Sequence, residues 1–299
     1  MITGFSIILD DNVLFVSNES RYTSFEVILF IEKLICSINP KKTWHLSSVL
    51  FEGYHLGKES MVIKHIITKD DKNLFFCISG DFSPLSEKAR NMIEEFQSKI
   101  HKVYKTPESL KKASEKDIFR EIIEPITDFL WDKYDDELEE EIVTEENSCD
   151  KSHILYTGIS AQGLPIISQL YDKSLLGNLD KQITNENVEL YSSNISAKLA
   201  TIAMNTAIRA KTNIKEIHIQ DRDQKIGKKL ILYGKISDYS LDFFASGNYC
   251  EVSEVFTKLK QRLSKEESLQ EEFKGELRAY KHLKEVIEDS VKDLNSDTS

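Results

Sequence analysis

The stretch Gly53-Tyr54-His55-Leu56-Gly57-Lys58-Glu59 sets two glycines and a lysine much as a phosphate-binding loop does. It is one residue short between the glycines, and Glu59 stands where a Ser or Thr should hold Mg²⁺. The flanking runs read as strands, so no helix N-terminus faces a phosphate. The reading is a hairpin turn, and no hydrolysis of GTP by this chain is expected.

His45, His55 and His65 recur at intervals of ten. Zinc needs three or four convergent N, S or O ligands, and nothing in the sequence completes such a set. His101, His153, His218 and His282 fall in separate elements, and no HExxH occurs. No metal or other cofactor is expected. A Ser or Cys nucleophile needs a positioned base and an oxyanion hole, and the G-x-S-x-G elbow is absent. Cys36 and Cys77 lie inside apolar runs as small hydrophobes, and Cys149 and Cys250 form no CxxC pair. Carboxylates are so numerous that no acid-base pair stands out. The chain reads as a non-enzyme.

A chain of 299 residues is long enough for two domains, each with its own core. Hydrophobic content of 40% with 30% charged residues is that of a folded protein. The net charge of -11 disfavours nucleic acid, which is held by clustered Lys and Arg, and also electrostatic docking on anionic lipid. Asp10 and Asp11 interrupt the first apolar run too early for a secretory signal, and no run reaches spanning length. A cytoplasmic location and no transmembrane segment are expected.

The elements that must position any site follow an order that occurs twice. Ile2 to Leu9 and Val13 to Ser17 read as strands around the turn Asp10-Asp11-Asn12. A helix from an N-cap at Ser24 to Ile38 follows, apolar nearly all round and so covered on more than one face. Strands Trp44 to Phe51, Ser60 to Thr68 and Asn73 to Ser79 come next, then a helix of about Leu85 to Tyr104. Ser109 to Tyr134 carries a further helical pattern that Pro125 should kink or split. From Asp135 to Asp150 the charges are all acidic, which reads as an extended linker.

The second block opens with His153 to Thr157, turns over Gly158 to Gly163 and resumes as Leu164 to Tyr171. An Ala-rich helix of about Val188 to Ala210, strands Ile214 to Gln220, Lys228 to Gly234 and Ser240 to Ala245, and a helix Val252 to Leu263 complete it. Apolar residues from Leu269 to Leu294 at steps of three and four predict one long amphipathic C-terminal helix.

In its strand order, in Phe5 to Leu9, the Asp10 to Asn12 turn, Leu74-Phe75-Phe76-Cys77-Ile78-Ser79 and Met92 to Ile100, the first block resembles a longin domain. The second is similar to the roadblock branch of the same superfamily through Ala161-Gln162-Gly163-Leu164-Pro165-Ile166, Ser196 to Ala200 and Ile214 to Gln220, with a second longin as the alternative. The resemblance implies an α+β fold of two tandem domains, each a five-stranded, mostly antiparallel sheet packed with helices. It gives residues 1–134 as a longin-like domain with extra helices, 135–152 as acidic linker, 153–263 as the roadblock-like or longin-like domain and 264–299 as C-terminal helix and tail. It also implies a protein-binding platform for a small Ras-like GTPase in membrane trafficking, acting as exchange factor, activator or scaffold. The candidate partner interface is Val27, Phe30, Ile31 and Leu34 on the first central helix with Ala197, Ala200, Met204 and Ala207 on the second. A homodimer or an internal pseudo-dimer, a scaffold subunit without GTPase contact, and a small-molecule sensor are the other expectations.

Overall fold

The computed structural model describes residues 1–39, 44–52, 58–141, 151–176, 185–221 and 228–295. The chain is mixed α/β, with antiparallel strand pairing throughout its described sheet ladders. It divides into two compact units. The first holds Met1–Phe30, Leu46–Thr144 and Arg209–Asn213; the second holds Ile31–His45, Glu145–Ile208 and Ile214–Ser299.

In the first unit β1 (Ile2–Leu9) and β2 (Asn12–Val16) form a hairpin whose tight turn puts Asp10 at φ 52°. Aspartate tolerates that left-handed conformation, and its carboxylate accepts the Asn73 N–H at 2.9 Å, tying the turn to the neighbouring strand. α1 (Tyr22–Ile38), whose residues from Ile31 onward fall in the second unit, follows a short 3-10 turn capped by the Asn18 side chain, so the expected cap Ser24 lies inside the helix. β3 (Trp44–Glu52), β4 (Lys58–Ile67) and β5 (Asn73–Gly80) complete the strands, in the order β2-β1-β5-β4-β3.

α2 (Glu87–Val103), α3 (Pro107–Ser114) and α4 (Ile118–Glu139) close the unit. Phe5, Ile7 and Leu9 of β1 and Phe76 and Ile78 of β5 meet Met92, Phe96, Ile100, Ile123 and Leu130 of α2 and α4 in one apolar cluster. Ser6 and Ile8, on the opposite face of β1, are equally buried, so both faces of this sheet are covered. Pro125 neither splits nor ends α4, because buried Phe119 and Ile123 before it and Leu130 and Tyr134 after it anchor both turns.

The acidic run is not all linker. Asp135 lies in α4 and accepts the Ile2 N–H at 2.8 Å, Glu137 pairs with Lys88 at 3.0 Å, and Glu141 accepts the Glu87 and Lys88 N–H groups at the α2 N-terminus. A carboxylate there meets the helix's unpaired donors and positive dipole end. The remainder of the run, residues 142–150 with Cys149, lies outside the described residues, as do residues 53–57 of the loop discussed above, His55 included.

In the second unit β6 (His153–Ala161), β7 (Leu164–Leu170), α5 (Asn185–Arg209), β8 (Ile214–Asp221), β9 (Lys229–Ile236), β10 (Tyr239–Ser246) and α6 (Tyr249–Leu263) repeat the element sequence. The strand order β8-β9-β10-β6-β7 is the same as in the first unit when read from β7 inward. The β6–β7 turn is shorter than predicted: Gly158 to Ala161 are strand, and only Gln162 (φ 51°) and Gly163 (φ 81°) turn, both left-handed as a two-residue hairpin requires.

No long helix ends the chain. Residues 264–282 form turns and two short 3-10 pieces, and only α7 (Leu283–Asn295) is helical. Its Leu283, Ile287 and Val291 are buried in one cluster with Leu241 and Phe243 of β10 and Val252, Leu259 and Leu263 of α6. The apolar spacing is therefore used by a strap that folds back on its own unit.

Candidate functional site

The eight residues expected at a partner interface have different fates. Val27 and Ile31 are fully buried and Ala200 nearly so, whereas Phe30 and Leu34 are half-buried. Ala197, Met204 and Ala207 are exposed. What remains available is the outer face of α5.

The inner face of α5 is fixed by its own unit. Ile195, Leu199 and Ile202 are buried, the single hydroxyl proton of Tyr191 is shared between the carbonyls of Ile38 and Leu175, and the Lys198 ammonium donates to the Ser37 carbonyl at 2.6 Å. Burial pushes the Tyr191 hydroxyl up to about 12 and lowers Lys198 below the ordinary lysine value. Trp44, which belongs to the same unit, sets its ring edge to face against Phe244 of β10 at 5.7 Å.

Beneath α5 is a polar cluster that the strand pattern did not reveal. Asp242 sits in the middle of β10, between Gly158 of β6 and Tyr233 of β9 in register. It is fully buried, and neither carboxylate oxygen has a hydrogen-bond partner among the described residues. The hydroxyls of Tyr156 and Tyr233 are likewise unpartnered, as are those of Ser192 and Ser196 on the buried side of α5. Ser196 approaches the Tyr156 hydroxyl without completing a hydrogen bond.

Burial pushes the Asp242 carboxyl up to about 8, so it carries its proton at neutral pH. Both tyrosines are raised well above their ordinary value, first by burial and then by the nearby Asp242. The Tyr156 hydroxyl crosses Gly158 so closely that a Cβ there would come within 2.1 Å of it. The sequence signal was an aspartate among Leu241, Phe243 and Phe244, which alternation alone assigns to a solvated face.

Elsewhere in this unit Glu216 is satisfied by His218 at 3.1 Å and by the Tyr249 hydroxyl at 2.8 Å. In the first unit His65 is hydrogen-bonded to Asn73 at 2.9 Å and stacked on Phe75. Among the described residues no three His, Cys, Asp or Glu side chains gather to hold a metal ion. A cleft of about 370 Å³ lies along the free edge of β2, where Arg120 donates to the Val16 carbonyl and covers the Phe15 ring. That guanidinium blunts the edge strand against further pairing.

No described helix is long and apolar enough to cross a membrane. No protein-family model matches the chain, and no curated protein is significantly similar to it.

Proposed function

We propose that this chain is a tandem longin/roadblock-type platform, a non-enzymatic cytoplasmic protein that binds and regulates a small Ras-like GTPase in membrane trafficking. The observation that carries the reading is the strand order β2-β1-β5-β4-β3 in the first unit and its repeat in the second, each with a helix between its second and third strands. That element sequence is the basis of the resemblance to longin and roadblock domains, with residues 1–134 and 153–263 as the two domains.

The test is capture of purified Ras-like GTPases held with GDP, with a GTP analogue or without nucleotide, followed by rates of nucleotide release and hydrolysis. Binding that prefers one nucleotide state is the expected result. A chain that captures no GTPase in any state loses the GTPase reading. The outer face of α5, which carries no exposed charge between Glu189 and Arg209, favours the scaffold alternative, in which the chain joins a larger assembly and leaves GTPase rates unchanged.

A further inference from the structure

The two units place different residues at the same points of the same strand lattice. Leu9 and Ala161 close their first hairpins, each just before a left-handed turn residue, Asp10 at φ 52° and Gln162 at φ 51°, so Ser6 of β1 corresponds to Gly158 of β6 and Gly4 to Tyr156. Across the ladders, Cys77 of β5 and Ile63 of β4 then hold the positions of Asp242 and Tyr233. The lattice forms in the first unit with no carboxyl and no phenol at these points. In the second unit it carries both, against the side of α5 where Ser192 and Ser196 are buried.

Burying these five side chains without partners opposes the docking of α5, because each gives up water and gains no hydrogen bond in return. Tyr156 of β6 and Tyr233 of β9 are the titratable groups beside Asp242, α5 presents Ser192 and Ser196, and the Lys198 ammonium of α5 is engaged by the Ser37 carbonyl. No cation offsets the carboxyl among the described residues. Once ionised, it can be stabilised only by water, and water reaches it only if an element moves. β6, β9 and β10 are held by their ladders and, through Ile159, Leu232, Leu241 and Phe243, by the apolar cluster with α6 and α7 on their other face. The helix is the element left to move, and the bonds of Tyr191 and Lys198 to main-chain carbonyls are ones that water can replace. We propose that α5 is an acid-latched cover, closed on the sheet while Asp242 keeps its proton and released as a unit when that proton is lost. Release hydrates the carboxylate, both phenols and both serines together and bares the face of the sheet that carries them.

The test is amide hydrogen exchange of the full chain from pH 5 to pH 9, corrected for the intrinsic pH dependence of exchange and read separately for α5 and β10. No GTPase is present, so the outcome is separate from that of the GTPase reading. Amides of α5 between Ser192 and Thr206 are expected to exchange faster than those of β10 at every pH, through an opening of the helix alone. The open state loses the Asp242 proton near 3.8 and the closed state near 8, so the opening should grow about a hundredfold from pH 5 to pH 7 and level off above pH 8. Asp242→Asn should keep α5 at its acid level of opening throughout. Tyr233→Phe, which removes one stranded hydroxyl, should slow α5 exchange at each pH and leave the slope in place. The proposal is overturned if α5 opening is flat between pH 5 and pH 8, or if its slope survives in Asp242→Asn. It also fails if α5 and β10 share one opening equilibrium, since the event is then unfolding of the whole unit.

Discussion

Asp242 is a residue whose cost is visible. Its carboxyl titrates near 8 in the folded chain and near 3.8 when exposed, so between those values the folded state holds a proton that the unfolded state has lost. Stability from this group therefore falls as pH rises from about 4 to about 8 and levels off above. Asp242→Asn keeps the shape and removes the titration. It should raise stability at neutral pH by on the order of 3 kcal/mol and flatten that slope, as urea melts across this pH range will show. A variant that is no more stable than wild type at neutral pH means that the carboxylate is ionised and solvated there.

Gly158 is the second such residue. Gly158→Ala drives a methyl into the Tyr156 hydroxyl, whose ring is fully buried and has nowhere to swing. A loss of about 1–3 kcal/mol is expected, partly relieved in the Gly158→Ala/Tyr156→Phe double variant because the nearest atom is removed. A strictly additive double-mutant cycle contradicts the close crossing.

At the scale of the element, α5 is two surfaces on one helix, and neighbouring alanines separate them. Ala200 faces the interior and Ala197 faces outward. Ala200→Glu should cost several kcal/mol or abolish folding, because a carboxylate is forced into a position only 3% exposed without a partner. Ala197→Glu should melt as the wild type does. Equal melting temperatures for the two variants contradict this orientation of the helix. The smoothness of α5 was legible in the sequence, but its alanines occur on both faces, so composition could not say which ones meet the sheet. The C-terminal strap shows the same limit: its apolar steps predicted one long amphipathic helix, but residues 264–282 form turns and two short 3-10 pieces, which bury Leu269 and Tyr280 and leave Leu277 exposed.

At the scale of the molecule, chain order and compactness do not coincide. Ile31–His45 belongs to the second unit although it lies among the first unit's strands in sequence, and it brings Ile35, Ile38 and Trp44 to that unit as buried residues. Ser37 and Ile38 also supply carbonyls to Lys198 and Tyr191. A fragment of residues 145–299 lacks these groups. It should retain helical and strand content by far-UV circular dichroism but lose fixed aromatic packing in the near-UV and melt below the intact chain. A fragment as stable and well ordered as the whole contradicts the assignment.

The element sequence, the first hairpin turn and the alternation of most strands follow from the residues themselves, because local sterics and the period of apolar side chains fix them. Helix α1 was read as apolar nearly all round for the same reason, but its buried residues Phe25, Val27, Ile28, Ile31, Ile35 and Ile38 form one broad face, with Glu26 and Lys33 exposed opposite it. Folding in three dimensions decided the rest. It put Asp242 under a helix instead of in water, turned Lys198 inward, and left Leu190, Met204 and Ile208 outside. Which side of an element meets another depends on contacts between residues far apart in the chain, and no local pattern encodes those contacts.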